Sequence, residues 1–481
     1  MKILFLGKGQ CETGSYLLCF HGEFVYKSNA RKLPHFTTCQ TLLSRVATGF
    51  GRFCSALRQR PSDLTLQLIM REHIIHTLKN GIRVVHNRVT STKIVHCGIM
   101  LDIGSRDESP ANQGIAHFWE HMAFKGTVKR NSFHILNRLE SLGGELNAYT
   151  DKEKILFFAS LRDDHFERAI ELLADITFHS VFPSTQIERE RQVILEEMSM
   201  YHDDPDGSLQ DEFDALIFQN HSLGMNILGT EQTVRHFHRK DFRSFIKQHM
   251  DTRRIVFSCV GNVPPETVIR LAEKYMGSVP RTVTNTRRKS FSGYKPTERI
   301  LQRPVKQARC ALGRPAFSLS DPRRGSFYLL TNILGGAGMN SRLNLSLREK
   351  HGYVYSIGAQ FIPFTDTGLL MLSFGTEPSQ LKKSLRLVHE ELRRLREEKM
   401  GTRQLASAKE QMLGQVAMAE ESNISFMMMM ARGLLDAGRV PTLDEIFSRV
   451  RDTSAMDIIK LSQEMFDPKH FSTLIMEPMS A

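Results

Sequence analysis

His117, Glu120 and His121 stand three and four positions apart, a spacing that an α-helix turns onto a single face. On that face both imidazoles of His117-Phe-Trp-Glu120-His121 can address one ion, with the Glu120 carboxylate beside them. Neutral imidazole nitrogens suit zinc, and a zinc that does chemistry usually takes three protein ligands and leaves a fourth position to water. An adjoining carboxylate can take a proton from that water while the ion lowers its pKa. The order HxxEH inverts the better-known HExxH signature. The competing reading is an amphipathic helix whose histidines, two of 19 in the chain, are satisfied by hydrogen bonds. A third ligand on a second helix distinguishes the two, and requires a fold in which those helices meet.

The run from Ile187 to Tyr201 offers such a ligand and is helical in composition and period. On a helical wheel Glu190, Ile194, Glu197 and Tyr201 fall in one stripe, with Ile187 and Met198 at its edge. Glu196 falls on the other side with Arg189, Gln192, Ser199 and Asp203. Glu197 therefore lies on the inward face, where an ionised carboxylate is costly unless it is paired or binds a metal. Glu190, two turns earlier on that face, is a candidate hydrogen-bonding partner for the site or one half of a buried salt bridge.

Beyond these residues the sequence resembles the pitrilysin/insulinase (inverzincin) zinc peptidases, and within them the shorter, bacterial and mitochondrial processing-peptidase-like branch. The segment Gly114 to Thr127 resembles the family's metal helix, with Trp119 where Leu is common. Leu142-Gly-Gly-Glu-Leu-Asn147-Ala148-Tyr149-Thr150 resembles the strand beside the substrate. Glu190-Arg191 and Val193-Ile194-Leu-Glu-Glu197 resemble the distal-ligand segment, with 75 residues between His121 and Glu197. His221 to Thr230 resembles the segment that follows. Gly338 to Leu343 and Leu347 to Ser356 resemble the Arg/Tyr motif of the second half. The likeness spans roughly residues 73 to 478.

The resemblance implies an α/β fold of two homologous sheet-plus-helix domains, residues 70–280 and 298–481, joined by a linker at 281–297 and enclosing a chamber. It implies one zinc ion per chain on His117, His121 and Glu197. Glu120 would be the general base on a zinc-activated water, and Glu190 would assist. Asn147 and the backbone of Ala148 would receive a peptide as an added strand. Arg348 and Tyr355, with Tyr353 as a competitor, would reach the substrate and its developing oxyanion. The implied function is a metalloendopeptidase cleaving oligopeptides or unfolded, presequence-like segments. The alternative is an inactive structural or assembly subunit, which retention of all three ligands and the base argues against. Because one chain carries both the zinc motif and the Arg/Tyr pair, a homodimer is expected rather than half of a heterodimer.

Net charge is +12, which raises the question of nucleic acid. Residues 1 to 69 hold nine Lys/Arg against Glu12, Glu23 and Asp63, a net of +6 and half the total. The rest is modest and accompanies no nucleic-acid module, so no such partner is expected. No run of 18 apolar residues suggests a membrane span. Cysteines are equally lopsided: Cys11, Cys19, Cys39 and Cys54 lie early, and Cys97, Cys259 and Cys310 are scattered over the remainder. That scatter points away from a disulfide framework and toward a reducing compartment, the bacterial cytoplasm. A mitochondrial matrix location is expected instead if residues 1–69, Arg-bearing and acid-poor, are a transit segment. The favoured reading makes them a poorly ordered extension upstream of Met70.

From Met70 onward strand and helix patterns alternate. Residues 280 to 297 are polar, basic and poor in aliphatics, as a linker is. The element order before this stretch recurs after it, but direct self-similarity is weak, and the duplicated unit is mainly what the resemblance to the family implies. Met427-Met-Met-Met430 reads as core or helix-contact filler.

Overall fold

Runs such as Ile255-Val-Phe-Ser-Cys-Val-Gly261 and Gly368-Leu-Leu-Met-Leu-Ser-Phe-Gly-Thr376 are apolar without alternation, so both faces of their sheets must be covered. The computed structural model, which describes residues 16–20, 23–27 and 73–479, shows how. Strands β1 (Tyr16–Phe20) and β2 (Glu23–Lys27) form a two-stranded sheet by themselves. The rest of residues 1–69, and the expectation of poor order there, lie outside the described residues.

The first large sheet contains β3 (His73–Thr77), β4 (Arg83–Arg88), β5 (Ile94–Leu101), β6 (Glu145–Thr150), β7 (Ile155–Arg162) and β8 (Ile255–Gly261), in the order β3-β4-β8-β5-β7-β6. The second contains β9 (Glu298–Arg303), β10 (Ala308–Ala316), β11 (Val354–Pro363), β12 (Gly368–Thr376) and β13 (Ser472–Pro478), in the order β11-β12-β10-β13-β9. Strands β4 and β8 are parallel, and so are β9 and β13; the remaining pairs in both sheets are antiparallel. Read as β4-β8-β5-β7-β6 against β9-β13-β10-β12-β11, the two sheets share one order and one set of strand directions. The repeated element order is thus a repeated topology, with β3 as an addition to the first copy.

Alternate residues of a strand point to opposite faces. Ile255, Phe257 and Cys259 join a core with the helices Ile115–Ala123 and Phe166–Phe178, while Val256 and Val260 face Met427, Met428, Met430 and Leu434 of the helix Asn423–Ala437. In the second sheet Leu370, Leu372 and Phe374 join that half's own helices. Leu369 and Met371 instead face Leu209, Phe213, Leu216 and Ile217 of the helix Pro205–Ile217. Each half therefore lends one helix to the outer face of the other's sheet. The Met427–Met430 run is core, and its partner is the first sheet.

The stretch 280–297 has no regular secondary structure, as its composition predicts. It is nonetheless clamped: Arg288 pairs with Asp102 and Asp107 at 2.9 Å each. Arg106, itself buried, pairs with Glu153 at 2.6 Å and with Asp366 of the β11–β12 turn at 2.5 Å. The two halves are cross-strapped rather than simply tethered. None of the described helices is long and apolar enough to cross a membrane.

Candidate metal centre

The motif helix Ile115–Ala123 begins where Gly114 adopts a left-handed φ of 93°. A β-carbon at Gly114 would lie 2.5 Å from the Leu228 carbonyl oxygen, so glycine is required by both conformation and space. The first turn is held by Glu108, whose carboxyl oxygens accept the N–H groups of Gly114 and Ala116 at 2.8 Å each; burial pushes its pKa up to about 8 against the pull of those two N–H groups. Phe118, Trp119 and Met122 anchor the opposite side in the core; Trp119 lies against Phe157 and Phe245. That anchoring turns His117 and His121 toward the helix Ser184–Asp203.

On that second helix Ile187, Glu190, Arg191, Ile194, Glu197 and Met198 are buried and Glu196 is exposed. His117, His121 and Glu197 each offer a ligand atom within 4.8 Å of the others, and all three are buried. His117 Nε2 lies 3.8 Å from one Glu197 oxygen and His121 Nε2 lies 3.6 Å from the other. These gaps are too long for hydrogen bonds and near the ~3.4 Å that separates ligands of a tetrahedral ion with ~2.1 Å bonds. Glu197 Oε2 and His117 Nδ1 are buried with no hydrogen-bond partner among the described residues. Buried polar atoms are normally satisfied, and a cation between these three groups would satisfy the carboxylate. The donor set, two imidazoles and one carboxylate, fits zinc.

The electrostatics agree. Burial pushes the Glu197 carboxyl up to about 7, with His121 opposing and Glu120 adding to the rise. Burial holds His117 well below its ordinary value, and His121 adds to that. For His121 burial works downward, but the hydrogen bond to Glu190 and the nearby Glu120 and Glu197 outweigh it and raise its pKa.

Glu120 sits on the same helix face, half-buried, and its Oε2 accepts a hydrogen bond from Thr150 Oγ1 at 2.7 Å. Burial raises its pKa against the pull of His121 and Thr150. Glu190 makes both contacts the sequence left open, a hydrogen bond to a site histidine and a buried ion pair. One oxygen lies 3.3 Å from His121 Nδ1 and the other 2.7 Å from Lys125 Nζ. Its pKa is lowered, these partners overcoming burial. Thr150 and Lys125 escaped the sequence reading, although Lys125 follows His121 at the same four-residue interval that separates His121 from His117.

Asn147 and Ala148 lie on β6, the edge strand of the first sheet, which among the described residues pairs with β7 alone. The Ala148 N–H donates to Asn147 Oδ1 at 2.8 Å. In the second half Arg348 belongs to a π-helical turn, Asn344–Lys350, a form frequent at functional sites. Tyr355 follows at a β-bulge and is 83% exposed, with the Arg348 guanidinium 5.9 Å from its ring. Tyr353 instead packs against the second core and stacks on His351. Among the described residues no hydrogen bond or ion pair ties Arg348 or Tyr355 to His117, His121 or Glu197.

A family model described as Insulinase (Peptidase family M16) matches residues 83–231, and one described as Peptidase M16 inactive domain matches residues 236–412. An uncharacterized zinc protease of Bacillus subtilis strain 168 is 32% identical over 402 residues, covering 83% of this chain and 97% of that protein. Another from Streptomyces coelicolor is 30% identical over 436 residues, covering 88% and 94%. Among solved structures, a protease from Helicobacter pylori superposes with a TM-score of 0.76 at 20% identity, over 85% of this chain and 100% of that one. A Pseudomonas fluorescens chain described as peptidase M16 inactive domain gives 0.78 at 17%, over 85% and 99%. These two show a shared fold.

Proposed function

Because the chain belongs to the insulinase family of peptidases (peptidase family M16), we propose that it is a zinc-dependent endopeptidase that hydrolyses oligopeptides or unfolded, presequence-like segments. The observation that carries this reading is the convergence of His117, His121 and Glu197, buried and within 4.8 Å of one another, with Glu120 on the same helix face. One zinc ion held by the trio would supply Lewis acidity toward water and the scissile carbonyl.

The protein's own groups do the rest. Thr150 occupies Glu120 Oε2 and leaves Oε1 to take a proton from the attacking water. The raised pKa of Glu120 suits a group that accepts that proton and then returns it to the departing amine nitrogen. The outer edge of β6 would offer main-chain hydrogen bonds to an extended peptide near Asn147 and Ala148, the Ala148 N–H exchanging Asn147 Oδ1 for the peptide, which secures affinity without fixing sequence. Arg348 and Tyr355 are assigned to the substrate side, a role supported by the exposure of Tyr355 beside the Arg348 guanidinium. Since one chain carries both residue sets, the active form is a homodimer of complete subunits. The free thiols of Cys97, Cys259 and Cys310 fit a reducing compartment such as the bacterial cytoplasm.

The test is Glu120→Gln with wild type and a chelator-treated control, incubated with a peptide library whose products are sequenced. The variant should retain zinc and lose turnover by at least about 100-fold, the lower end of general-base catalysis. Cleavage at the wild-type rate would remove Glu120 as the base, and cleavage unaffected by chelator would remove the metal.

A further inference from the structure

Lys125 is a buried ammonium whose sole ion-pair partner among the described residues is Glu190, at 2.7 Å. It extends the stripe of His117 and His121 by one more interval of four, just past the last helical residue, Ala123. Its backbone is pinned on both sides. The Lys125 N–H donates to the Met122 carbonyl at 3.1 Å, the Gly126 carbonyl accepts from Val181 at 3.1 Å, and Thr127 N–H donates to Arg130 at 2.8 Å. The ammonium is thus presented from a fixed base.

The Glu190 carboxylate has one oxygen for each neighbour: Oε1 for Lys125 and Oε2 for His121 Nδ1. With Nδ1 committed in that direction, His121 Nε2 faces Glu197 Oε2 at 3.6 Å, inside the ligand cluster. His117 has no such support among the described residues, where its Nδ1 is unpartnered. The orientation of the ligand pair therefore depends on His121, and the orientation of His121 on Glu190. A carboxylate left without Lys125 in this buried setting would be free to turn both oxygens toward the imidazole or the ion.

We propose that Lys125 is a positioning residue of the metal centre. It fixes the Glu190 carboxylate so that His121 directs Nδ1–H toward that carboxylate and Nε2 toward the ion. This rests on the zinc site proposed above. The competing role is a structural ion pair that steadies the fold and nothing more. Arg130, paired among the described residues with Glu171 and Asp175 and with none of His117, His121, Glu190 and Glu197, supplies that comparison.

The experiment follows transfer of zinc from the loaded protein to a chromogenic chelator at constant pH. It compares wild type, K125M, K125R, E190Q, the double variant K125M/E190Q and R130M. K125M should release zinc about 10- to 100-fold faster, the range seen for outer partners of a metal ligand. K125R should recover most of the difference, and R130M should release at the wild-type rate. The double variant leaves no unpaired carboxylate, so it tests the idea even if K125M fails to fold, and it should release no faster than E190Q. Release from K125M at the wild-type rate overturns the proposal. So does a double variant clearly faster than E190Q, or an R130M as fast as K125M. A wild type that takes up no zinc overturns the metal reading itself, whereas normal wild-type uptake with an unchanged K125M overturns only the role of Lys125.

Discussion

Glu197 is the side chain on which the chemistry of the centre turns, because its carboxylate is buried beside two imidazoles and a second acid. With no cation present its pKa is raised from 4.5 to about 7, first by burial. A raised acid contributes stability that is complete below 4.5 and lost as pH climbs through about 7. Zinc binding needs the deprotonated carboxylate and so reverses that loss. The rise in Tm on adding zinc to the metal-free protein is therefore expected to be larger at pH 8 than at pH 6. His117, held well below its ordinary pKa, adds nothing to the step, whereas His121, whose pKa is raised, must also lose a proton to bind the ion and adds to it in the same direction. Scanning calorimetry at both pH values, with Glu197→Gln as comparison, checks this; the step should shrink in the variant to the part His121 contributes, and an equal shift at both pH values in the wild type, or an undiminished step in the variant, would contradict the assignment. The choice of Glu197 over the adjacent Glu196 was legible in the sequence because a helix separates neighbours by about 100°, and only one of them could share a face with Ile194. Lys125 and Thr150 were not legible as partners. A lysine after a histidine and a threonine at a strand end acquire meaning only once a second helix and an edge strand are placed against them.

At the scale of elements, the start of the motif helix depends on the close approach of Gly114 to Gly229, and Gly143 serves as its comparison. Gly114 and Gly143 both have left-handed φ, 93° and 72°, so alanine at either position costs about 1–2 kcal/mol in conformation alone. They differ in surroundings. Around Gly143 a β-carbon meets nothing within 4 Å, but at Gly114 it would meet the Leu228 carbonyl oxygen at 2.5 Å and the Gly229 Cα at 2.7 Å. Those atoms are backbone and cannot rotate away, and overpacking typically adds 1–3 kcal/mol. Gly114→Ala should therefore be less stable than Gly143→Ala by about 1–3 kcal/mol in denaturant titrations. Equal losses would show that the helix start can yield. Both glycines were visible as parts of motifs. The contact with Gly229 was not, because it joins segments more than a hundred residues apart. The same limit applies to residues 280–297. Their lack of aliphatic residues marked a connection, but nothing local marked Arg288 as a half-buried clamp on Asp102 and Asp107.

At the scale of the whole molecule, the duplicated topology was legible chiefly through the family resemblance, with a recurring element order beside it, whereas the exchange of helices between halves was not. Met427-Met-Met-Met430 reads as a helix contact wherever its sheet lies, and only the fold places it on β5 and β8. The helix Pro205–Ile217, lent in the other direction, covers β10 and β13. Ser258 Oγ donating to the Met427 carbonyl at 2.7 Å, and Arg432 donating to the Tyr149 hydroxyl at 3.0 Å, fasten the first of these exchanges. Each sheet thus has one face closed by its own half and the other by its neighbour, so neither half can lose its structure without uncovering apolar surface on both. Phe213 offers a direct test. It is fully buried, belongs to the first half by sequence, and packs on the second sheet. Phe213→Ala should cost about 3–5 kcal/mol. The only tryptophan, Trp119, is buried in the first core and reports on that half alone. If the halves unfold as one, Trp119 fluorescence and far-ultraviolet circular dichroism should shift together in the variant and keep a common midpoint. If instead the fluorescence midpoint stays at the wild-type value while the dichroism splits into two steps, the exchanged helices do not couple the halves.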